Sequence, residues 1–203
     1  MNKETVLLTW VHLGIKEFYL SFEIESRWIT YSIFFCHQGL EKICKAYYLG
    51  ECSLRWENLI DVPALKEINK IAKTLGHDIP RFVKCMQSRG TLPPYRPIRP
   101  YSEDDLLECL QAAYIEARYP VPQPFYLRMD HQCKERFRIS IASYKIYHDL
   151  LGETAPRDYA RSMARALLKK IESEFSVKIQ DSNPFNGIAD ENWNRFANVF
   201  FRV

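Results

Sequence analysis

Two sets of side chains in this 203-residue chain have the residue types and spacing for chemistry on an anion. The first lies in SIFFCHQGLEKICKAYYL, Ser32 to Leu49, and comprises His37, Gln38, Glu41, Lys42 and Lys45. Lysine ammonium groups meet phosphate oxygens, a glutamine amide meets a base edge, and an imidazole moves protons. The second is Arg157, Arg161, Arg165 and Lys169, a cation every four residues, which on a helix makes a basic ladder able to follow a phosphate backbone. Each set also has a plainer reading. Glu41 precedes Lys45 by four residues, the favourable order for a helical ion pair worth roughly 0.2–0.5 kcal/mol, so the first set fits a solvated helix face as well. Asp158, Glu172 and Glu174 lie near enough to neutralise part of the ladder. Tyr95, Arg96 and Arg99 on a proline-rich loop either extend a nucleic-acid surface or form plain surface.

Other chemistries find little support. His77-Asp78 reads as a histidine beside a helix N-cap, since a catalytic pair needs a nucleophile that no spacing supplies. Six cysteines, at 36, 44, 52, 85, 109 and 133, form no CxxC pair and no Cys–His zinc spacing. Cys36 and Cys44 are too far apart along one helix to bond, so free, buried thiols in a reducing cytoplasm are expected. No glycine-rich phosphate loop, serine-nucleophile motif or paired carboxylates occur, so no catalytic residue, metal or cofactor is assigned. The net charge of +3 is too small to imply nucleic-acid binding by itself. No apolar run approaches the ~18 residues of a membrane span, and the first residues do not resemble a signal peptide.

The elements that must position these residues follow from periodicity. Asn2 or Thr5 caps a first helix through Val6, Trp10, Leu13, Phe18 and Leu20, with Trp10, Leu13, Glu17 and Leu20 on one face and Gly14 weakening its middle. Ser26-Arg27 breaks the chain before a second helix with Ile33, Cys36, Leu40, Ile43, Cys44 and Tyr47 as its apolar stripe, so the two form an antiparallel hairpin. Gly50 reads as its left-handed C-cap. A third helix carries Leu65, Ile68, Ile71, Ala72 and Leu75 and stops at Gly76; Asp78 caps a fourth with Phe82, Val83 and Met86 inside. Thr91 to Tyr101, with four prolines, is an extended loop, and Ser102 caps a helix with an acidic first turn and a stripe of Leu106, Leu107, Leu110, Ala113, Tyr114 and Ala117. Val121 to Leu151 fits either a strand pair around Asp130-His131-Gln132 or a helix from about Cys133, with the helix preferred. Ala160, Met163, Ala164, Leu167, Leu168, Ile171 and Phe175 line a last long helix, and Asp190 caps a terminal one whose Trp193, Phe196, Phe200 and Phe201 must pack on the body or on a partner.

The aromatic first helix followed by FCHQGLEKICKAYYL resembles the opening hairpin of HEPN domains (higher eukaryotes and prokaryotes nucleotide-binding), whose second helix commonly reads "haQQAiEKalKAll". LGHDIPRFVKCM, Leu75 to Met86, resembles that family's "tHdL..Ll" element, and AAYIEARYP, Ala112 to Pro120, its "..teaRYP" helix end, in the same order. The resemblance implies a single all-α antiparallel bundle over 1–203, with a core of 1–120 plus the helix near 155–176. An insertion at about 121–152 and a C-terminal extension at 177–203 complete it. It further implies a homodimer and a small nucleotidyltransferase partner in a toxin–antitoxin or defence setting. Ribonuclease members carry an arginine, four to six residues, then a histidine; none of His12, His37, His77, His131 and His148 has an arginine at that spacing. The expected function is therefore a non-catalytic or degenerate module associated with nucleotide or RNA. The alternatives are RNA cleavage by residues outside that motif, or a dimerisation scaffold.

Overall fold

Asn2 opens the first helix: its Oδ1 accepts the Thr5 backbone N–H at 2.8 Å, answering one of the donors that a helix start leaves unpaired. The computed structural model describes residues 2–52, 62–95, 100–118, 141–179, 183–185 and 187–201. In chain order its helices are α1 (Lys3–Ile24), α2 (Ile29–Glu51), α3 (Val62–Leu75), α4 (Ile79–Ser88), α5 (Glu103–Arg118), α6 (Ile141–Leu150), α7 (Ala155–Phe175) and α8 (Asp190–Phe201). Every regular element among the described residues is a helix, in keeping with the all-α expectation. None of them is long and apolar enough to cross a membrane. Asp61, residues 96–99, Tyr119-Pro120, His131, Cys133 and the choice between hairpin and helix before Ile141 lie outside the described residues.

The bundle is built around α2, which packs against α1, α3, α4, α5 and α7. Its expected stripe is its core face: Ile33, Cys36, Leu40, Ile43 and Cys44 are fully buried, with Tyr47 beside them. The face of α1 shared by Trp10, Leu13, Glu17 and Leu20 is not the one it buries. Leu13 is 44% exposed, while Leu7, Val11, Gly14, Ile15 and Phe18 are buried. This helix is apolar nearly all round, so periodicity alone does not choose; backbone approach does. A Cβ on Gly14 would meet Ile43 Cγ1 at 2.7 Å and the Gly39 carbonyl at 2.9 Å. One on Gly39 would meet the Phe18 ring at 2.6 Å and the Gly14 carbonyl at 2.9 Å. The glycine that costs α1 helix propensity thus lets the hairpin close backbone to backbone.

Gly50 also differs from expectation. The helix continues through it to Glu51, and the Phe175 ring of α7 occupies the space of its missing side chain, 2.3 Å from where a Cβ would stand. Gly76, by contrast, ends α3 with φ +70°, as expected. Gly39→Ala must displace both a ring and a carbonyl, and is expected to lower stability by about 1–3 kcal/mol. Urea unfolding checks this, and an unchanged midpoint would mean that the two backbones stand further apart.

Asp78 and Ser102 act as read, whereas Asp190, expected as the cap of α8, is its first helical residue, with the Trp193 N–H bonded to the Ala189 carbonyl. Asp78 accepts the Arg81 N–H at 3.1 Å, and Ser102 Oγ accepts the Asp105 N–H at 3.1 Å while Asp105 accepts the Ser102 N–H at 2.9 Å. Helix α6 lies on α5, with Tyr147 and Leu150 buried. The aromatic tail packs on its own chain: Phe200 meets Phe18 (ring centroids 5.0 Å apart), and Phe196 meets Tyr19 (5.6 Å) and Phe22 (5.9 Å). Trp193, Phe196 and Phe200 are at most 2% exposed, so they are core and supply no surface for a second copy.

Candidate functional site

The polar side of α2 is enclosed. Because five helices wrap α2, residues off its apolar stripe are still covered: His37 is fully buried, and Glu41 and Lys45 are each 4% exposed. Lys45 Nζ donates to Glu41 Oε1 at 2.6 Å, one turn away, and Gln38 donates to Glu41 Oε2 at 3.4 Å. Lys42 points elsewhere, pairing with Glu17 of α1. The structure thus brings His37, Gln38, Glu41 and Lys45 together as a buried network and sends Lys42 to the hairpin partner. The expectation that Lys45 lies off the core is corrected, since surrounding helices close over a face that α2 alone would leave wet.

Three further groups complete the network. His77, held between Gly76 and Asp78, places Nδ1 2.9 Å from Glu41 Oε2. Tyr114 of α5 stacks with His37 (4.6 Å, 21°) and His77 (5.1 Å, 25°). Gln111 Oε1 accepts the Ile79 N–H at 3.4 Å and stands 3.3 Å from His37 Nε2, so His37 carries its proton on Nε2. Among the described residues its Nδ1 has no hydrogen-bond partner, and it lies 3.9 Å from Glu41 Oε2. Burial holds the His37 imidazole down to about 4, against the opposing pull of Glu41 and Gln111, so it is neutral at ordinary pH. Burial works to raise the Glu41 carboxyl, but His37, Lys45 and His77 together hold it below its ordinary value. No sequence spacing linked His77 or Gln111 to α2: His77 read as a neighbour of the Asp78 cap, and its pairing spans 36 residues.

The basic ladder divides in two. Arg157 and Arg161 are 6% and 7% exposed and turn inward to Glu25 at the end of α1, with Arg161 Nη2 2.8 Å from Glu25 Oε2. Arg157 Nε is 3.8 Å from the same carboxylate, and its Nε and Nη1 have no hydrogen-bond partner among the described residues. Lys169 is exposed, and Arg165 is half-buried. Arg165 Nη1 donates at 3.4 Å to the Val199 and Phe200 carbonyls at the end of α8, where free carbonyls favour a cation. Among the described residues no carboxylate pairs with it. Burial, then the neighbouring Arg161 charge, lower its pKa against a partial offset from Asp158.

Arg165 borders a cleft of about 790 Å³. Tyr95 and Tyr101 line it from the loop before α5, and Thr154 and Ala155 from the start of α7. Ser162 and Arg161 line it from the α7 side, with Glu153 and Asp158 adding acidic groups. Tyr95 is set edge-on against Tyr159 (4.9 Å, 86°), whose hydroxyl donates to Glu103 at 2.8 Å. Thr154, which makes no side-chain cap to α7, and Ala155 place the start of that 21-residue helix at the cleft wall. Tyr95 and the ladder, 60 or more residues apart in sequence, meet here.

Searches against protein-family models, curated proteins and solved structures give no match. The described cysteines are all free thiols, with Cys36, Cys44 and Cys109 buried; burial raises each of the three, Cys109 to about 12.

Proposed function

We propose that this chain is a HEPN-type helical module that associates with nucleotide or RNA without cleaving it, and that the ligand sits in the cleft bordered by Arg165. The carrying observation is Arg165 itself. It is a half-buried cation beside a second cation, it has no carboxylate partner among the described residues, and it stands at the edge of an aromatic-lined space. A phosphate there would receive a charge-assisted hydrogen bond and relieve the repulsion from Arg161. Tyr95 and Tyr101 bring aromatic rings to the wall for a base, and Ser162 a hydroxyl.

The same geometry argues against cleavage by the α2 set. His37 is buried, neutral and committed to Gln111, so it reaches no phosphodiester. A nucleotidyltransferase partner and pairing with a second copy belong to this reading through the family resemblance. Trp28 (60% exposed) and Tyr31 (45% exposed) at the start of α2 are the exposed aromatic pair open to such a contact.

Fluorescence titration with adenosine monophosphate and a short single-stranded RNA tests the proposal. Arg165→Ala and Tyr95→Ala are each expected to weaken binding by roughly 1–3 kcal/mol, about five- to a hundredfold, for a lost stacking or charged contact. Lys42→Ala should leave it unchanged. Loss in Lys42→Ala with retention in Arg165→Ala would move the site to the α1–α2 hairpin, and intact RNA after incubation is expected throughout.

A further inference from the structure

His77 carries a chemistry that the cleft does not use. Its side chain is 51% exposed, yet its Nδ1 lies 2.9 Å from a carboxylate that is 5% exposed. Glu41 is ionised and accepts only, so Nδ1 keeps the proton and Nε2 keeps the lone pair. Lys45 at 2.6 Å and Gln38 at 3.4 Å fix the carboxylate, and the stack on Tyr114 fixes the ring plane. The backbone is pinned as well, by the left-handed Gly76 before it and the Asp78 cap after it. An imidazole so held, on a side chain that is half exposed, is an oriented nucleophile through Nε2.

The helix that precedes it in the chain is basic. Lys66, Asn69, Lys70 and Lys73 lie on one exposed side of α3 and form a shallow groove, and Lys73 is four residues before His77 in the chain. We propose that His77 is a phosphoryl-acceptor site, taking a phosphoryl group on Nε2 from a small acyl phosphate or phosphoanhydride donor. The Nε2 lone pair forms the P–N bond as the bond from phosphorus to the leaving oxygen breaks, and the carboxylate or phosphate departs with that electron pair. The ring retains its Nδ1 proton and becomes cationic, a charge that Glu41 faces directly. No proton has to move and nothing is oxidised. The lysines of α3 meet the donor's phosphate as it approaches. Glu41 acts as a positioning residue, holding the tautomer and the charge.

Acetyl phosphate is the probe, with peptide mapping by mass spectrometry as the readout and exposed His148 as the internal reference. His77 is expected to gain one acid-labile, alkali-stable phosphoryl group at about ten times the rate of His148, in line with activation by an adjacent carboxylate. His77→Gln, at an exposed position, should remove that label and keep the fold. Lys73→Ala should slow labelling with acetyl phosphate. Glu41→Gln, confirmed as folded by circular dichroism, should slow it about tenfold and shift the His77 ring ¹⁵N resonances from the Nδ1–H form toward a mixture. Equal labelling of His77 and His148, label confined to acid-stable positions, or no uptake at His77 would each overturn the proposal.

Discussion

Glu41→Ala is expected to cost about 3–5 kcal/mol, because it strands a lysine that the fold has enclosed. Lys45 is 5% exposed at its side chain, and its ammonium rests on the Glu41 carboxylate at 2.6 Å. Removing the acid leaves that charge in a low-dielectric interior and removes the acceptor for His77. Lys45→Ala should cost a similar amount by stranding the carboxylate. Replacing both at once, Glu41→Leu with Lys45→Met, removes the desolvation penalty together with the attraction. The double variant should therefore be much closer to wild type than the sum of the single losses. Chemical denaturation of the three variants is the check. If each single substitution costs below about 1 kcal/mol, as exposed pairs do, water reaches the network.

Acid should unfold the protein through His37. In the fold this imidazole titrates at about 4, and in the unfolded chain near 6.5. Between those values the unfolded chain binds a proton that the folded chain refuses, so stability falls as pH falls. The full contribution is present above pH 6.5. The loss is about 1.36 kcal/mol per pH unit within the window, or about 3 kcal/mol across it. Glu41 adds a second loss at lower pH. Its folded carboxyl lies below the ordinary 4.5, so its stabilisation is present above that value and disappears as pH drops through the folded one. His37→Phe keeps a ring against Tyr114 and removes the titration, and should flatten the slope between pH 6.5 and 4. Urea midpoints measured at half-unit steps decide it; equal slopes in the two proteins would assign the acid sensitivity to other groups.

Much of the architecture was legible because it is local. The caps at Asn2, Asp78 and Ser102 are written within four residues, and the stripes of α2, α5 and α7 repeat at helical spacing. What escaped the sequence depends on what a helix meets. Gly50 reads as a terminator until Phe175, 125 residues later, is seen to need its space. Gly14 reads as a weak point until Gly39 faces it across the hairpin. Lys45 reads as solvated because a lone amphipathic helix would leave it so, and only the wrapping of α2 by its neighbours buries it. The site was legible in pieces. Tyr95 and the basic ladder both stood out, and folding turns two of the ladder's arginines inward while leaving Arg165 at the cleft.

Nucleotide association at the α7 cleft is tested most directly by backbone and ring NMR shifts recorded while adenosine monophosphate is titrated into the isotope-labelled protein. Saturable shifts centred on Tyr95, Tyr101, Ser162 and Arg165, and absent in Arg165→Ala, are the predicted result. Shifts centred on Gln38 and Lys42, or no saturable shift at millimolar nucleotide and low salt, would contradict it.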